Sequence, residues 1–490
     1  MATSEYKSMH GMTKAAGCKH LRMGNFCKLF DKPTWAEEAG VDQRLAEKIA
    51  AVLGGPGAIM HDVLDDSPDC DLPAGYTFFA QFVDHDVTLD IETKLHGTAL
   101  TEDQIRELPN LRSASLDLDC VYGLGPEASP HLYSARQPGA LLVGNDVNPN
   151  DLPRNKDGRA LIGDPRNDEN LFVSQLQLAF LRFHNRRLVG RSFEEAREDC
   201  RNHFQYVVLY DLLKRICHPD VYKFALKHLG SDEYPFFSIQ DECGRLCMPV
   251  EFSVAAYRFG HTTVRSKYPV NARHPVVELF AEDFGTLGFG PVPPELTVDW
   301  SLLLPIGSKP ARAKAFDHLL PSELIRLPDP VVGDTATENE RSLAFRNLLR
   351  GFVLGLPSGQ SAAQALQDAG YPDPIDPGQD LRFGEMRGWT DLDATWRTLL
   401  EEHTPLFLYV LREAGVQGKG QHLGPVGSAI VLEVFINMLK RCASFLDIPD
   451  WVPDDEIATT GDLTLGDIVR YATERSILQP ITLDPLLTIG

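Results

Sequence analysis

From Thr77 onward, apolar residues recur at helical spacing through most of the chain. In LFVSQLQLAFLRFHNRRL (171–188) they fall three and four apart, and the segment closes on basic residues that suit the negative end of a helix. SFEEAREDCRNHFQYVVLYDLLKRI (192–216) opens with Ser192 and Glu195 at capping-box spacing and runs long. SVAAYRFGHTTVRSKY (253–268), ERSLAFRNLLRGFVLG (340–355) and SAIVLEVFINMLKRCASFL (428–446) continue the helical pattern. Strand-like alternation is scarce, and stretches such as GFGPVPPELT (288–297) and YPDPIDPGQD (371–380) read as loops. The pattern predicts a mainly α fold with very little strand, formed by one large helical domain over residues 76–490. Residues 1–75 are rich in Gly, Asp and Pro, with one helix near Asp42–Leu53, and are expected to form an irregular arm over that domain.

Composition narrows the partners. The 490 residues carry 47 basic and 69 acidic side chains, a formal charge of −22, which argues against nucleic acid or an anionic membrane. No stretch approaches the roughly 20 apolar residues of a membrane span, and the N-terminal segment lacks the apolar core of a secretory signal. Nine scattered cysteines are an odd number at low density, so reduced thiols are expected. The compartment expected from these features is the cytoplasm, or the outside by a route that needs no signal peptide. Oligomeric state is not readable.

Four short segments carry candidate chemistry. In FFAQFVDHDVT (78–88) a helix would put Gln81, Asp84 and His85 on one face and turn Asp86 elsewhere. A solvated helix face bearing a surface histidine explains this segment equally well. In GDPRNDENLF (163–172), Asp164 and Pro165 read as a helix start, with Arg166, Glu169 and Asn170 stacked behind them. Taken alone, Arg166 and Glu169 are better read as an exposed ion pair. AYRFGHTTVR (256–265) pairs Arg258 with His261 at i, i+3, and Gly260 leaves room for a large flat group against the backbone. RNLLRGFVLGLPSG (346–359) pairs Asn347 with Arg350, and Asn347 has the chemistry to orient a histidine through its second ring nitrogen. Singly, His261 is more often a packed core histidine and Asn347 a surface residue.

Together, in order, these segments resemble the animal haem peroxidases of the peroxidase–cyclooxygenase superfamily, and most closely the short leaderless bacterial members. FFAQFVDHD resembles that family's FxQFxDHD, GDPRNDEN its GDxRxxEN, YRFGH its FRxGH, and SLAFRNLLRGFVLGLP its LNxxRxR–GLP segment. The resemblance runs from about Thr77 to Pro453. It implies haem b, with His85 as the distal histidine that shuttles a proton from peroxide. It implies Arg166 as the distal arginine and Gln81 as a distal-pocket glutamine. His261 falls at the proximal iron ligand and Asn347 at the asparagine bonded to it. Arg258 and Arg350 match arginines near the haem propionates, and Asp84 and Glu169 match carboxylates that form esters with haem methyl groups in many animal members. Asn170 stands where one mammalian member has a methionine forming a third haem bond, so that link is not expected.

SASLDLDCVYG (113–123) resembles the family's calcium loop, which implies Ca²⁺ held by Asp86, Ser113, the Ser115 carbonyl, Asp117 and Asp119. Asp119 replaces a smaller polar residue of some members, and without the resemblance an ordinary acidic loop is the better reading. The implied reaction is reduction of hydrogen peroxide and oxidation of a small organic donor or a halide, through a ferryl intermediate. The superfamily's fatty-acid dioxygenases use a tyrosine three residues before the proximal histidine. That position is Arg258 here, and Tyr257 is one residue early, expected to face away. A haem-dependent oxygenase acting on lipid-like substrates is the alternative, and a non-catalytic interaction relative is disfavoured because His85, Arg166 and His261 are all present. Cys18, His20 and Cys27, or Cys243 and Cys247, do not make a zinc site at usual spacing, and His184 in HNRR is expected to be structural.

Overall fold

The computed structural model describes residues 24–90, 92–241, 244–281, 286–307, 309–458 and 461–473. Helices dominate, and strands are short pieces of two to five residues. Helix α1 (Gln43–Gly54) is the one expected near Asp42–Leu53, and it starts where Asp42 accepts the Leu45 N–H at 2.8 Å. Helix α2 (Gly75–Val87) carries the FFAQFVDHD segment and is buried on nearly every side. Helix α3 (Leu171–Arg187) begins at Asn170, whose side chain accepts from the Phe172 and Val173 N–H groups. Helix α4 (Phe193–Val207) has the anticipated Ser192–Glu195 capping box, then widens into a π-helical turn, Val208–Leu212, before ending at Ile216. Helix α5 (Leu343–Val353) is capped by Ser342, while α6 (Leu406–Val416) and α7 (Pro425–Arg441) are mostly buried.

Aromatic stacking holds α2 in place. Phe82 stacks on Phe180 of α3 at 4.6 Å, and Phe204 of α4 meets Phe79, Phe82 and Phe180 edge-on. Such pairs contribute about 0.5–1.5 kcal/mol each beyond their burial. A helix packed this way has little freedom to rotate, so its polar face keeps a fixed aim. Thr77 at its start bonds the Thr263 hydroxyl at 2.9 Å, which ties α2 to the chain just beyond His261.

Strand Gly24–Cys27 lies between Pro109–Asn110, to which it runs antiparallel, and Met248–Pro249, to which it runs parallel. Glu251, one turn further on and fully buried, accepts the Leu29 and Phe30 N–H groups at 2.9 and 3.3 Å. Phe26, Phe30, Trp35 and Leu53 join the same hydrophobic cluster as α2 and α3, so the chain before Gly75 is part of the core.

Three sequence expectations need correction. Cys27 and Cys247 are joined by a disulfide rather than being reduced thiols; the pairing spans 220 residues and is made by the parallel strands that place them side by side. Cys70, Cys120, Cys200 and Cys217 are buried thiols, while Cys18, His20 and Cys243 lie outside the described residues. Secondly, 163–172 is not one helix start. Pro165–Asp168 is a 3₁₀ turn, and the backbone extends at Asn170 (φ −146°, ψ 161°), so Arg166, Glu169 and Asn170 do not stack on a single helix. Thirdly, 251–261 is a π-helical turn, Glu251–Ala255, followed by a 3₁₀ turn, Ala256–His261. Residues three apart eclipse in a 3₁₀ turn, so Arg258 and His261 still share a face. Among the described residues, no helix is long and apolar enough to cross a membrane.

Candidate active site

A cavity of about 440 Å³ opens between α2, the Pro165–Asp168 turn, the Ala256–His261 turn and α5. It is lined by Gln81, Asp84, His85, Arg166, Glu169, Arg258, His261, Asn347 and Arg350, so all nine residues singled out for haem chemistry meet at one place. Val264, Leu279, Leu324, Leu327 and Leu343 supply apolar wall.

His85 is buried, and its Nδ1 lies 2.7 Å from Asn167 Oδ1. The Asn167 amide is itself held by donating to Gln177 Oε1 at 2.8 Å, and Gln177 donates to the Cys120 carbonyl. This chain puts the oxygen of Asn167 toward the ring, so His85 carries its proton on Nδ1 and leaves the Nε2 lone pair free. Burial, and then the Arg166 charge, push the His85 pKa down to about 4, so the ring is neutral near pH 7. Sequence reasoning missed Asn167. It sits inside GDPRNDEN, but nothing in the motif says that its side chain reaches His85.

Arg166 is anchored rather than mobile. Its Nε and Nη2 lie 3.1 and 2.7 Å from the two oxygens of Asp164, and Nη2 also donates to the Thr88 carbonyl at 2.6 Å. Asp164 is fully buried and also caps the turn by accepting the Arg166 N–H at 2.9 Å. Burial opposes ionisation of Asp164, but Arg166 and Arg112 together outweigh it and hold the carboxyl far below its usual range. Gln81 accepts a bond from the Asn170 amide at 3.2 Å.

His261 faces the same cavity from the 3₁₀ turn. Burial, and then Arg258, push its pKa down to about 3, leaving a neutral imidazole. The Asn347 side-chain amide stands 3.0 Å from its Nδ1. An amide presents either end by a half-turn, so Nδ1–H can donate to Oδ1 and leave Nε2 as the free ligand atom. Arg258 pairs with Asp84 at 3.0 Å, and Arg350 pairs with Asp90. Glu169 is pushed up to about 7 by burial, so much of it is the neutral acid near pH 7. Tyr257, expected to face away, lines the cavity instead, four residues before His261. Its buried hydroxyl has no hydrogen-bond partner among the described residues.

Residues 90–279 match the family model of the animal haem peroxidases. The chain resembles the solved structure of peroxidase A from Dictyostelium discoideum, with TM-score 0.55, 17% identity and 92% of each chain covered. The segment matched by the family model holds Arg166, Glu169, Arg258 and His261, and beyond it the likeness is one of fold. The chain is also similar to the fatty acid alpha-dioxygenase of Oryza sativa, with TM-score 0.57, 16% identity, and 92% of this chain and 80% of that one covered. The Arabidopsis thaliana fatty acid alpha-dioxygenase gives TM-score 0.52 at 14% identity, covering 88% of this chain and 74% of that one. No curated protein sequence matches the chain.

Haem, which the superfamily's animal peroxidases bind, fits this cavity on three grounds. His261 is a neutral imidazole with one nitrogen engaged and the other free. Gly260 lines the cavity with open space where a Cβ would stand. Arg258 and Arg350 line it as cations able to meet a carboxylate-bearing group, each paired with one aspartate. A second arrangement lies just behind α2. Asp86, Asp117 and Asp119 bring carboxylate oxygens within 4.8 Å of one another. Burial, and then Asp117, push Asp86 up to about 7, and Asp119 is also pushed far up. Ser113 Oγ donates to Asp117 at 3.1 Å, and Ser115 is half-buried on the same loop. Oxygen donors in that number suit a hard divalent cation such as Ca²⁺. His184 is structural, as expected: it is buried between the Tyr122 hydroxyl and the Gly139 carbonyl.

Proposed function

We propose that this protein is a haem-dependent peroxidase that reduces hydrogen peroxide and oxidises a small organic donor or a halide. The observation that carries the reading is the meeting of His85, Arg166, Gln81, His261 and Asn347 around one cavity, with both histidines neutral. In this reading His261, oriented by Asn347, would hold the haem iron, Arg258 and Arg350 would meet the haem's carboxylates, and Asp84 and Glu169 are the candidates for ester links. Haem, when bound, supplies the redox chemistry that peroxide reduction requires.

The chain's own residues handle the proton. His85 accepts it at Nε2 from incoming peroxide and returns it to the departing oxygen, while Asn167 keeps the ring in the tautomer that permits this. Arg166 is a fixed donor toward negative charge developing on the departing oxygen, and its Asp164 anchor means that little reorganisation is needed. Gln81 orients water or a halide beside them. Ca²⁺ at Asp86, Asp117 and Asp119 would clamp the end of α2 that bears His85. The disulfide fits a compartment more oxidising than cytoplasm.

A second reading, oxygenation of a lipid-like substrate, is supported by Tyr257, which lines the cavity and whose buried hydroxyl has no hydrogen-bond partner among the described residues. The deciding experiment is the optical spectrum of haem-loaded protein before and after stoichiometric peroxide. A Soret band that shifts and returns with guaiacol or iodide, and fails to shift promptly in His85→Ala, supports the peroxidase. A band that peroxide leaves unmoved sinks it, and oxygen uptake with a fatty acid, lost in Tyr257→Phe, would favour the oxygenase.

A further inference from the structure

We propose that Arg112 is a positioning residue for Arg166, acting through Asp164, and that it couples the Asp86–Asp117–Asp119 cluster to the distal side of the cavity. The proposal rests on the reading of Arg166 as the distal arginine. Arg112 is nearly buried and spans two sites at once. Its Nη1 lies 3.3 Å from Asp119, and its Nη2 lies 2.7 Å from Asp164 and 3.1 Å from the Gly163 carbonyl. Asp164 is fully buried and grips Arg166 by both its backbone N–H and its guanidinium. The order Asp119, Arg112, Asp164, Arg166 is therefore a continuous line of alternating charge that ends at the cavity.

A second observation supports the coupling independently. A Cβ on Gly163 would stand 2.5 Å from the Cys120 carbonyl and 2.6 Å from that of Asp119. The strand of chain entering the Arg166 turn is thus pressed directly on the backbone of the carboxylate cluster. Displacement of that loop moves both the backbone and the charge line in the same direction.

The physical consequence concerns Asp164. Flanked by two guanidiniums, it is held ionised, with Oδ2 shared by both and Oδ1 held by Arg166; without Arg112 it keeps Arg166 alone, and its buried Oδ2 loses one of two charged donors. It would then take up a proton or water, and its hold on Arg166 would change. Lysine in place of Arg112 offers a compact charge that cannot fork to Asp119, Asp164 and Gly163 together, so it restores part of the effect only. Where a divalent cation draws on Asp119, Arg112 is left to Asp164 and Gly163, so a change at the cluster reaches the oxygen that Arg166 also uses.

The test is a double-variant cycle on haem-loaded protein, read by Soret titration with fluoride, an anion that needs a cationic donor beside it, and with imidazole, which does not. Arg166→Gln should weaken fluoride about tenfold, the worth of one charge-assisted hydrogen bond. Arg112→Met should weaken it about threefold, Arg112→Lys less, and Arg112→Met should add nothing in the Arg166→Gln background. Imidazole affinity should stay level across the set. Unchanged fluoride affinity in Arg112→Met, additive losses, or a parallel change with imidazole would overturn the proposal. If Arg112→Met does not fold, the same cycle with Arg112→Lys decides it on the same criteria. A normal fluoride affinity in Arg166→Gln instead overturns the distal-arginine reading, and the coupling with it, whatever Arg112→Met does.

Discussion

Replacing Asn167 with alanine isolates one hydrogen bond at the heart of the proposed mechanism. Asn167 is fully buried, bonds His85 Nδ1 at 2.7 Å, and is locked by Gln177 at 2.8 Å, so its oxygen end is fixed toward the ring. Removing it frees His85 to carry its proton on Nε2, the wrong nitrogen for a base, and leaves Gln177 Oε1 without that donor. A buried neutral bond is worth about 1–1.5 kcal/mol, and such supporting residues typically change activity about 10- to 100-fold. We expect the rate constant for peroxide reacting with haem-loaded protein to fall at least about tenfold in stopped-flow Soret traces. The pH dependence gives a sign as well. His85 must be neutral to act, so the rate falls as pH drops through about 4. The Asn167 bond is one of the effects that raise that pKa, so the acid limb in the alanine variant should move to lower pH. Asn167→Asp, which puts a carboxylate on Nδ1–H, should move it higher. A rate within twofold of the parent, or an acid limb that rises in the alanine variant, would refute the orientation argument.

His261→Ala should abolish stable haem binding or shift the Soret band; an unaltered spectrum removes His261 as ligand. Cys27→Ser paired with Cys247→Ser opens a link across 220 residues. On chain-entropy grounds it should cost about 5 kcal/mol, measured by urea unfolding with and without reductant; no difference would mean the thiols are not paired in the protein. His318 is buried with its Nδ1 unpartnered among the described residues, and burial and then Arg412 push its pKa down to about 3. A depressed histidine stabilises the fold above its unfolded pKa and loses that contribution as pH falls. His318→Leu should therefore reduce by about 2 kcal/mol the stability lost between roughly pH 7.5 and 5, and a parent-like slope would count against it.

What was legible in the sequence was periodic or sequential. Gln81, Asp84 and His85 share a face because α2 is a regular helix, and Ser192 with Glu195 caps α4 because capping needs only local spacing. What was hidden depends on contacts between distant segments or on unusual winding. The Cys27–Cys247 pair exists because two short strands run in parallel, which no spacing rule reports. Tyr257 lines the cavity, and its spacing of four from His261, a same-face spacing on an α-helix, was there to be read. Asn167 and Arg112 are ordinary polar residues until the fold sets them against His85 and Asp164.

The cavity gathers arginines beside two histidines, an arrangement that would seem to oppose any further cation. Yet three of the cations are individually matched: Arg166 by Asp164, Arg258 by Asp84 and Arg350 by Asp90. Those carboxylates act back on the rings, and Asp164 and Asp84 raise the His85 pKa while Arg166 lowers it. Burial, not net charge, is thus the largest cause for both His85 and His261. A single physical cause therefore serves two tasks. Exclusion of water keeps the His261 lone pair available to a metal and the His85 lone pair available to a proton, and a large flat group filling the space between them would exclude water further. Widening the cavity by truncating its apolar wall, for example Leu324→Ala, should then raise both histidine pKa values toward 6.5 together. That joint movement, followed by NMR of labelled histidine in the haem-free protein, separates desolvation from local charge, because an arginine substitution such as Arg166→Gln would move His85 alone.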